Sequence, residues 1–177
     1  MPRRYDQLHN AVREKQPTAI LEIGAWNGAR AFNLLTRCPT AKYYGFDLFE
    51  DATADTDKAE FNCKPHTSMD AVRKRLEGFD VTLIKGNTRD TLKDFNTLVD
   101  FVWLDGGHSV ETIRSDWENV KRCLMPGAWV FFDDYFTGID TTAVGCNAIV
   151  AELKHEVLPI ADWVIGNGKT QIVRVYA

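Results

Sequence analysis

The stretch that most constrains this chain is Ala19-Ile-Leu-Glu-Ile-Gly-Ala-Trp-Asn-Gly28. Ala19 to Ile23 is a short apolar run rich in branched residues, the pattern of a strand buried on both faces. Gly24 ends it, the chain turns through Ala25 and Trp26, and Asn27 offers its side-chain oxygen as a helix N-cap. Ala29 to Arg37 then carries Phe32, Leu34 and Leu35 at helical spacing. Strand, glycine turn and helix in that order begin an open α/β sheet, where ligands bind at the carboxyl ends of the strands.

The remainder of the 177 residues continues the alternation. Tyr5 to Lys15 reads as a helix closed by Pro17. Lys42 to Phe46, Val81 to Ile84, Val99 to Leu104 and Ala128 to Phe132 read as further strands, with Pro126-Gly127 as a turn. Helices are expected over Met69 to Glu77, capped by Thr67 or Ser68, over Ser109 to about Cys123, and over Thr142 to Glu156. Ala161 to Ile165 and Gln171 to Tyr176 read as a closing pair of strands, joined by the hairpin signal Asn167-Gly168. Residues 49–67 are polar and acidic, and read as a surface loop with a helical turn or as a lid. The pattern predicts a single α/β domain over 1–177, a mostly parallel, doubly wound sheet with helices on both faces and an antiparallel C-terminal hairpin.

Charge and cysteine usage remove several functions. The net charge is −4, and Arg3-Arg4 and Arg73-Lys74-Arg75 read as solvated faces, which argues against nucleic acid. The four cysteines are scattered, with no C-x-x-C, so neither a zinc site nor a disulfide framework is expected, and reduced thiols fit a cytoplasm. The N-terminus lacks signal-peptide character, and no apolar run is long enough for a bilayer.

The glycine spacing narrows the ligand. A dinucleotide turn needs a second glycine two residues after Gly24, and Trp26 stands there, blocking a pyrophosphate. Glu22-x-Gly24-x-x-x-Gly28 instead resembles the cofactor loop of class I S-adenosylmethionine-dependent methyltransferases, whose sheet has seven strands. The resemblance implies that the acid and the glycines hold the amino-acid end of that cofactor. Asp47 ends the second strand near the spacing at which an acid meets a ribose, and a carboxylate accepts both hydroxyls. Asn87 follows Gly86 where the family often contacts adenine, though Asn is equally common in plain turns. Cofactor contacts are thus expected among Glu22, Gly24, Ala25, Trp26, Gly28, Asp47, Asn87, Thr88 and Asp105.

Three acids complete the pattern. Asp105 ends the fourth strand, and Asp133 and Asp134 end the fifth. Neighbouring strands lie about 5 Å apart, so the three carboxylates would repel unless protonated or bridged by a cation, with Mg²⁺ suited to oxygen donors. Leu104-Asp-Gly-Gly-His108, Pro126-Gly127, Phe132-Asp-Asp-Tyr135 and Ile84-Lys-Gly-x-x-x-Asp90-Thr-Leu92 resemble the metal-dependent sugar O-methyltransferases of the macrocin O-methyltransferase-like group. That resemblance implies Asp105, Asp133 and Asp134 as metal ligands. This chain departs from the group at Gly107, where many members carry a second acid, and it is shorter. His108 is the candidate general base, because an imidazole changes charge near neutral pH, with Asp105 as the other choice. His9, His66 and His155 lack such a setting and read as surface residues. The expected reaction is metal-assisted O-methylation of a small-molecule hydroxyl. The alternatives are a metal-independent methyltransferase, a non-catalytic cofactor-binding domain and, against Trp26, an NAD-dependent oxidoreductase. The oligomeric state stays open, a homodimer included.

Overall fold

The computed structural model describes residues 3–159, 164–165 and 168–176. Its strands are β1 (Ala19–Ile23), β2 (Lys42–Asp47), β3 (Val81–Lys85), β4 (Val99–Leu104), β5 (Leu124–Thr137), β6 (His155–Val157), β7 (Val164–Ile165) and β8 (Gly168–Tyr176). Its α-helices are α1 (Asp6–Lys15), α2 (Ala29–Arg37), α3 (Ala54–Ala59), α4 (Met69–Arg75), α5 (Thr88–Thr91), α6 (Val110–Val120) and α7 (Asn147–Val150). Seven strands run in the order β3-β2-β1-β4-β5-β8-β6, and the two-residue β7 pairs β8 alone. The first five of these are mutually parallel, and β8 runs antiparallel to β5, β6 and β7. This is the expected doubly wound sheet, with its one reversed strand near the edge.

Every residue of β1 is buried, Glu22 included, as a strand covered on both faces requires. Alternate residues feed two cores. Ile20, Phe101, Trp103 and Phe131 pack with Leu8 and Val12 of α1, Leu34 and Leu35 of α2, and Val72 of α4. Leu21, Ile23, Val102, Leu104 and Phe132 pack with Ile113, Trp117 and Val120 of α6 and Ile149 of α7. Glu22 shares the face of Ile20, so its carboxylate emerges at the carboxyl end of β1 toward α1 and α2.

Several elements depart from expectation. The helix predicted over Thr142 to Glu156 shrinks to Asn147–Val150. Gly145 stands before it at φ +88, where a Cβ would lie 2.6 Å from the carbonyl oxygen of Asp134, so no helix propagates through it. His155–Val157 pairs instead with Val175, Arg174 and Val173 of β8. The fifth strand does not end at Phe132. Its register with β8 shifts between Phe132 and Tyr135 and resumes as far as Thr137, placing Asp133 and Asp134 at a bulge, with Asp134 at φ +58. Pro126-Gly127 lies inside the same strand, with Gly127 at φ +74 in the irregular stretch of the β4 ladder. Phe32, expected on the buried face of α2, is 43% exposed, and Ala31 takes the core position. Of the closing pair, β7 and β8 are present, and Gly168 opens β8, whereas Asn167 and residues 161–163 lie outside the described residues.

Candidate active site at the carboxyl ends of the sheet

The turn after β1 is built for close backbone approach. Gly24 has φ +86, and a Cβ there would fall 1.9 Å from the carbonyl oxygen of Asp105. The Gly24 N–H donates to the carbonyl of Phe46 across β2 (2.8 Å). Gly28, at φ +71, packs behind the turn against Val72. Asn27 performs its predicted service, its side-chain oxygen accepting the N–H of Ala29 (3.0 Å), although the helix cap position itself falls on Gly28. Asp47 accepts the N–H of Trp26 and that of Phe49, both at 2.7 Å. It therefore ties the end of β2 to the turn, and each oxygen keeps a lone pair toward the cavity.

That cavity has a volume of about 610 Å³, within the range of small-molecule sites. Glu22, Gly24, Ala25, Trp26, Asp47, Asn87, Thr88, Asp105 and His108 all line it, so the structure gathers nearly every residue expected there. Gly28 does not line it. Asn87 also serves as the N-cap of α5, accepting the N–H of Arg89 (3.0 Å). His9 and His66, expected at the surface, reach this cavity as well. Burial, with Arg37 and Arg30 nearby, pushes the His9 imidazole down to about 4, so it is neutral at physiological pH.

The floor holds a buried acid beside a largely buried guanidinium. Glu22 is fully buried, and its Oε2 accepts the hydroxyl of Tyr43 (2.6 Å) while Oε1 has no hydrogen-bond partner. Burial raises Glu22 to about 8 against the opposing pull of Arg30 and the Tyr43 bond. Arg30 lies flat over the Tyr5 ring, 3.4 Å from its centroid, and Tyr5 in turn packs edge-on against Trp103.

The segment 49–67, open between loop and lid on sequence grounds, supplies part of the cavity wall through Thr56, Asp57, Glu60 and His66. Helix α3 is capped by Thr53, and Asp57 accepts from Asn62 (2.8 Å) and pairs with His66 (2.7 Å). Three contacts fasten the segment down. Trp26 Nε1–H donates to the Pro65 carbonyl (2.8 Å). Glu60 accepts the Ser109 N–H (3.0 Å) and the Thr112 hydroxyl (2.6 Å), capping α6 from across the cavity. The Glu60 carbonyl accepts from His108 Nδ1 (2.9 Å). A carbonyl only accepts, so His108 carries a proton on Nδ1, while its Nε2 lies 3.3 Å from Asp134 Oδ2. Glu60 carried no sequence signal, since its partners lie some fifty residues away. Glu60→Ala is expected to cost about 1–2 kcal/mol, the scale of a lost helix cap, read as a thermal-unfolding midpoint lowered by roughly 2–8 °C. An unchanged midpoint would refute the capping role.

The acids do not assemble as expected. Arg4 and Arg3 read as a solvated pair, yet Arg4 inserts into the carboxylate cluster 129 residues further along the chain. Its Nε–H donates to Asp133 Oδ1 (2.8 Å), a second N–H makes a still shorter contact with the same oxygen, and it also reaches Asp134 (3.0 Å). The Tyr5 hydroxyl donates to Asp133 Oδ2 (3.3 Å). Burial lowers the Arg4 pKa, but Asp133, Tyr5 and Asp134 outweigh it and hold the guanidinium charged. Burial and Asp105 hold Asp133 up, at about 6, against the pull of Arg4 and Arg30. Asp133 is thus turned to an internal cation and away from the predicted Asp105–Asp133–Asp134 triad. The donor atoms that do converge, all within 4.8 Å of one another, belong to Asp105, His108 and Asp134. Two carboxylates and an imidazole nitrogen fit a dication, with the imidazole shifting the preference from Mg²⁺ toward borderline ions.

Comparison with known proteins bears on the family and the fold. A family model described as a methyltransferase domain matches residues 21–135, and the chain belongs to that family. Its fold is that of the class I S-adenosylmethionine-dependent methyltransferases. Among curated proteins, no sequence matches. An O-methyltransferase family protein from Burkholderia thailandensis is 14% identical, with TM-score 0.63, over 97% of this chain and 55% of its own. The chain thus spans about half the length of that relative. The O-methyltransferase TomG from Streptomyces achromogenes, solved with S-adenosylmethionine, is 16% identical over 96% of this chain and 77% of its own, with TM-score 0.65. The N-methyltransferase NodS from Bradyrhizobium japonicum, solved with S-adenosylhomocysteine, is 14% identical over 98% and 87%, with TM-score 0.67. Among the described residues no helix is long and apolar enough to cross a membrane.

Proposed function

We propose that this chain transfers a methyl group from S-adenosylmethionine to the hydroxyl oxygen of a small molecule. The observation that carries the reading is the convergence of Glu22, Asp47, Asn87 and Asp105 on one cavity that His108 also lines, its Nδ1 held by the Glu60 carbonyl. Glu22 and the Gly24 turn receive the donor's amino-acid end, Asp47 its ribose, and Asn87 with Thr88 its base. In the transfer the hydroxyl oxygen attacks the methyl carbon, the carbon–sulfur bond breaks, and its electron pair returns to sulfur. The acceptor's proton passes to His108 Nε2. Asp134 Oδ2, 3.3 Å from that nitrogen, stabilises the imidazolium that results.

Metal assistance is a second reading, supported by the gathering of Asp105, His108 and Asp134. Those three would hold the ion, while Asp133 stays with Arg4. A bound dication would supply orientation and a lowered pKa to the acceptor hydroxyl. With all three on the ion, solvent would be left as proton acceptor.

Calorimetry with S-adenosylmethionine, followed by an acceptor screen scored by S-adenosylhomocysteine release, tests the first reading, and a wild-type protein that binds no donor would end it. Turnover in EDTA against Mg²⁺ or Mn²⁺ tests the second. Stimulation that disappears in Asp134→Asn is the expected result if the ion takes part, and equal rates throughout count against it.

A further inference from the structure

Arg4 lies just ahead of α1, and its side chain ends between two consecutive acids of the β5 bulge. Its Nη2 is shared. That nitrogen contacts Asp133 Oδ1 and, at 3.0 Å, Asp134 Oδ1. The Nε–H adds a second bond to the same Asp133 oxygen (2.8 Å). The other oxygen of each acid has its own partner, the Tyr5 hydroxyl for Asp133 Oδ2 and His108 Nε2 for Asp134 Oδ2, both at 3.3 Å. The side chains of Arg4, Asp133 and Asp134 are largely buried, Asp133 almost completely. One nitrogen between oxygens of two carboxylates stands where a cation shared by them would stand. A guanidinium is charged at every physiological pH, so the position is filled by a permanent charge. The surroundings hold more acid than this contact uses. Asp105, Asp116, Asp133 and Asp134 line one internal cavity of about 10 Å³, room for about one water or ion. Asp116 is 2% exposed, and its Oδ1 has no hydrogen-bond partner among the described residues.

We propose that Arg4 is the resident counter-ion of this cluster, standing in for a dication, and that it sets how weakly the aspartates bind one. Arg4 opposes an ion in two ways. It occupies Asp133, so that carboxylate is withheld as a ligand. It also repels: a dication on Asp105, His108 and Asp134 would share Asp134 with the guanidinium, and like charges that close destabilise each other. Without an ion, Arg4 performs the task an ion would perform. It offsets the charge of Asp133 and Asp134 and leaves Asp134 Oδ2 turned to the imidazole. The guanidinium suits this bridging role, because its rigid fork reaches two carboxylates where an ammonium is a point charge. Whether the site takes a metal is therefore decided by a residue 129 positions ahead of Asp133, and the acids alone do not decide it.

Mn²⁺ binding, measured by calorimetry with no donor or acceptor present, tests this whatever reaction the large cavity performs. Wild type, Arg4→Met, Arg4→Lys and the double variant Arg4→Met/Asp133→Asn are compared. Thermal unfolding without ion checks that each is folded. Arg4→Gln, which keeps an N–H for Asp133 and loses the charge, takes the place of Arg4→Met if that variant does not fold. Arg4→Met is expected to bind Mn²⁺ at least ~30-fold more tightly than wild type, since a repelling charge is gone and a carboxylate is released. The double variant has the local net charge of wild type and lacks the released ligand, so its affinity is expected within about threefold of wild type. Arg4→Lys, charged but without the fork, gains less than Arg4→Met. Equal affinity in wild type and Arg4→Met overturns the proposal, and so does the absence of binding in both. A gain that survives in the double variant also overturns it, because Asp133 would then not be the ligand that Arg4 withholds.

Discussion

Gly24→Ala is expected to unfold the donor turn. The added methyl would meet the Asp105 carbonyl at 1.9 Å and Gly106 Cα at 2.9 Å, both backbone atoms at the end of β4, and the φ of +86 is one that alanine resists. Overpacking adds about 1–3 kcal/mol and the left-handed backbone about 1–2 kcal/mol. A loss near 3 kcal/mol or more lowers the unfolding midpoint by roughly 6–12 °C in a chain of this size. The displaced partner is Asp105 itself, so donor binding should vanish at temperatures where the variant is still folded. A variant with wild-type midpoint and wild-type affinity would show that β1 and β4 are further apart here than described.

Glu22→Gln is expected to split stability from function. In the ligand-free protein Glu22 binds its proton up to about pH 8, whereas in the unfolded chain it releases it near the ordinary carboxylate value. The folded state holds the extra proton across that window, so stability falls as pH rises from about 4.5 to about 8 and levels off above. Asp116 and Asp133, held up by burial at about 7 and about 6, tilt the profile in the same direction. Ionising Glu22 in place costs on the order of 3–5 kcal/mol, and Gln has no charge to bury. The variant should therefore melt roughly 10 °C above wild type at pH 8.5 and nearly with it at pH 5. It should also bind S-adenosylmethionine at least ~10-fold more weakly, having lost the ammonium's counter-charge. A variant whose melting profile keeps the wild-type slope with pH would show that Glu22 is already ionised in the ligand-free fold.

The parts of this molecule that sequence reveals are those written in short-range pattern. β1, β4 and α6 stand at or near their expected bounds because a mostly apolar run, an N-cap serine and a helical period each act over a few residues. The site residues along the strand ends follow from the same logic, since a parallel sheet delivers every carboxyl end to one edge. What escaped is tertiary. Ile149, Val150 and Leu153 carry a helical period, but Gly145 wedged against the Asp134 carbonyl and the demand of β8 for an edge partner override it. Arg4 reads as a surface charge until the fold brings the first turn of the chain to the β5 bulge. That one contact also rearranges the acids, withdrawing Asp133 from a cluster that sequence alone assigns to a metal.

The fastening of residues 54–66 has a kinetic side. Glu60 grips α6 and the His108 ring, and Pro65 grips the Trp26 indole, so the bonds that aim the imidazole also hold one wall of the cavity in place. Rupture of the Glu60 bond would free the imidazole to turn. A swing of this wall outward would therefore cost the ring its aim, so the proposed catalyst holds its reactive geometry only while residues 54–66 stay docked.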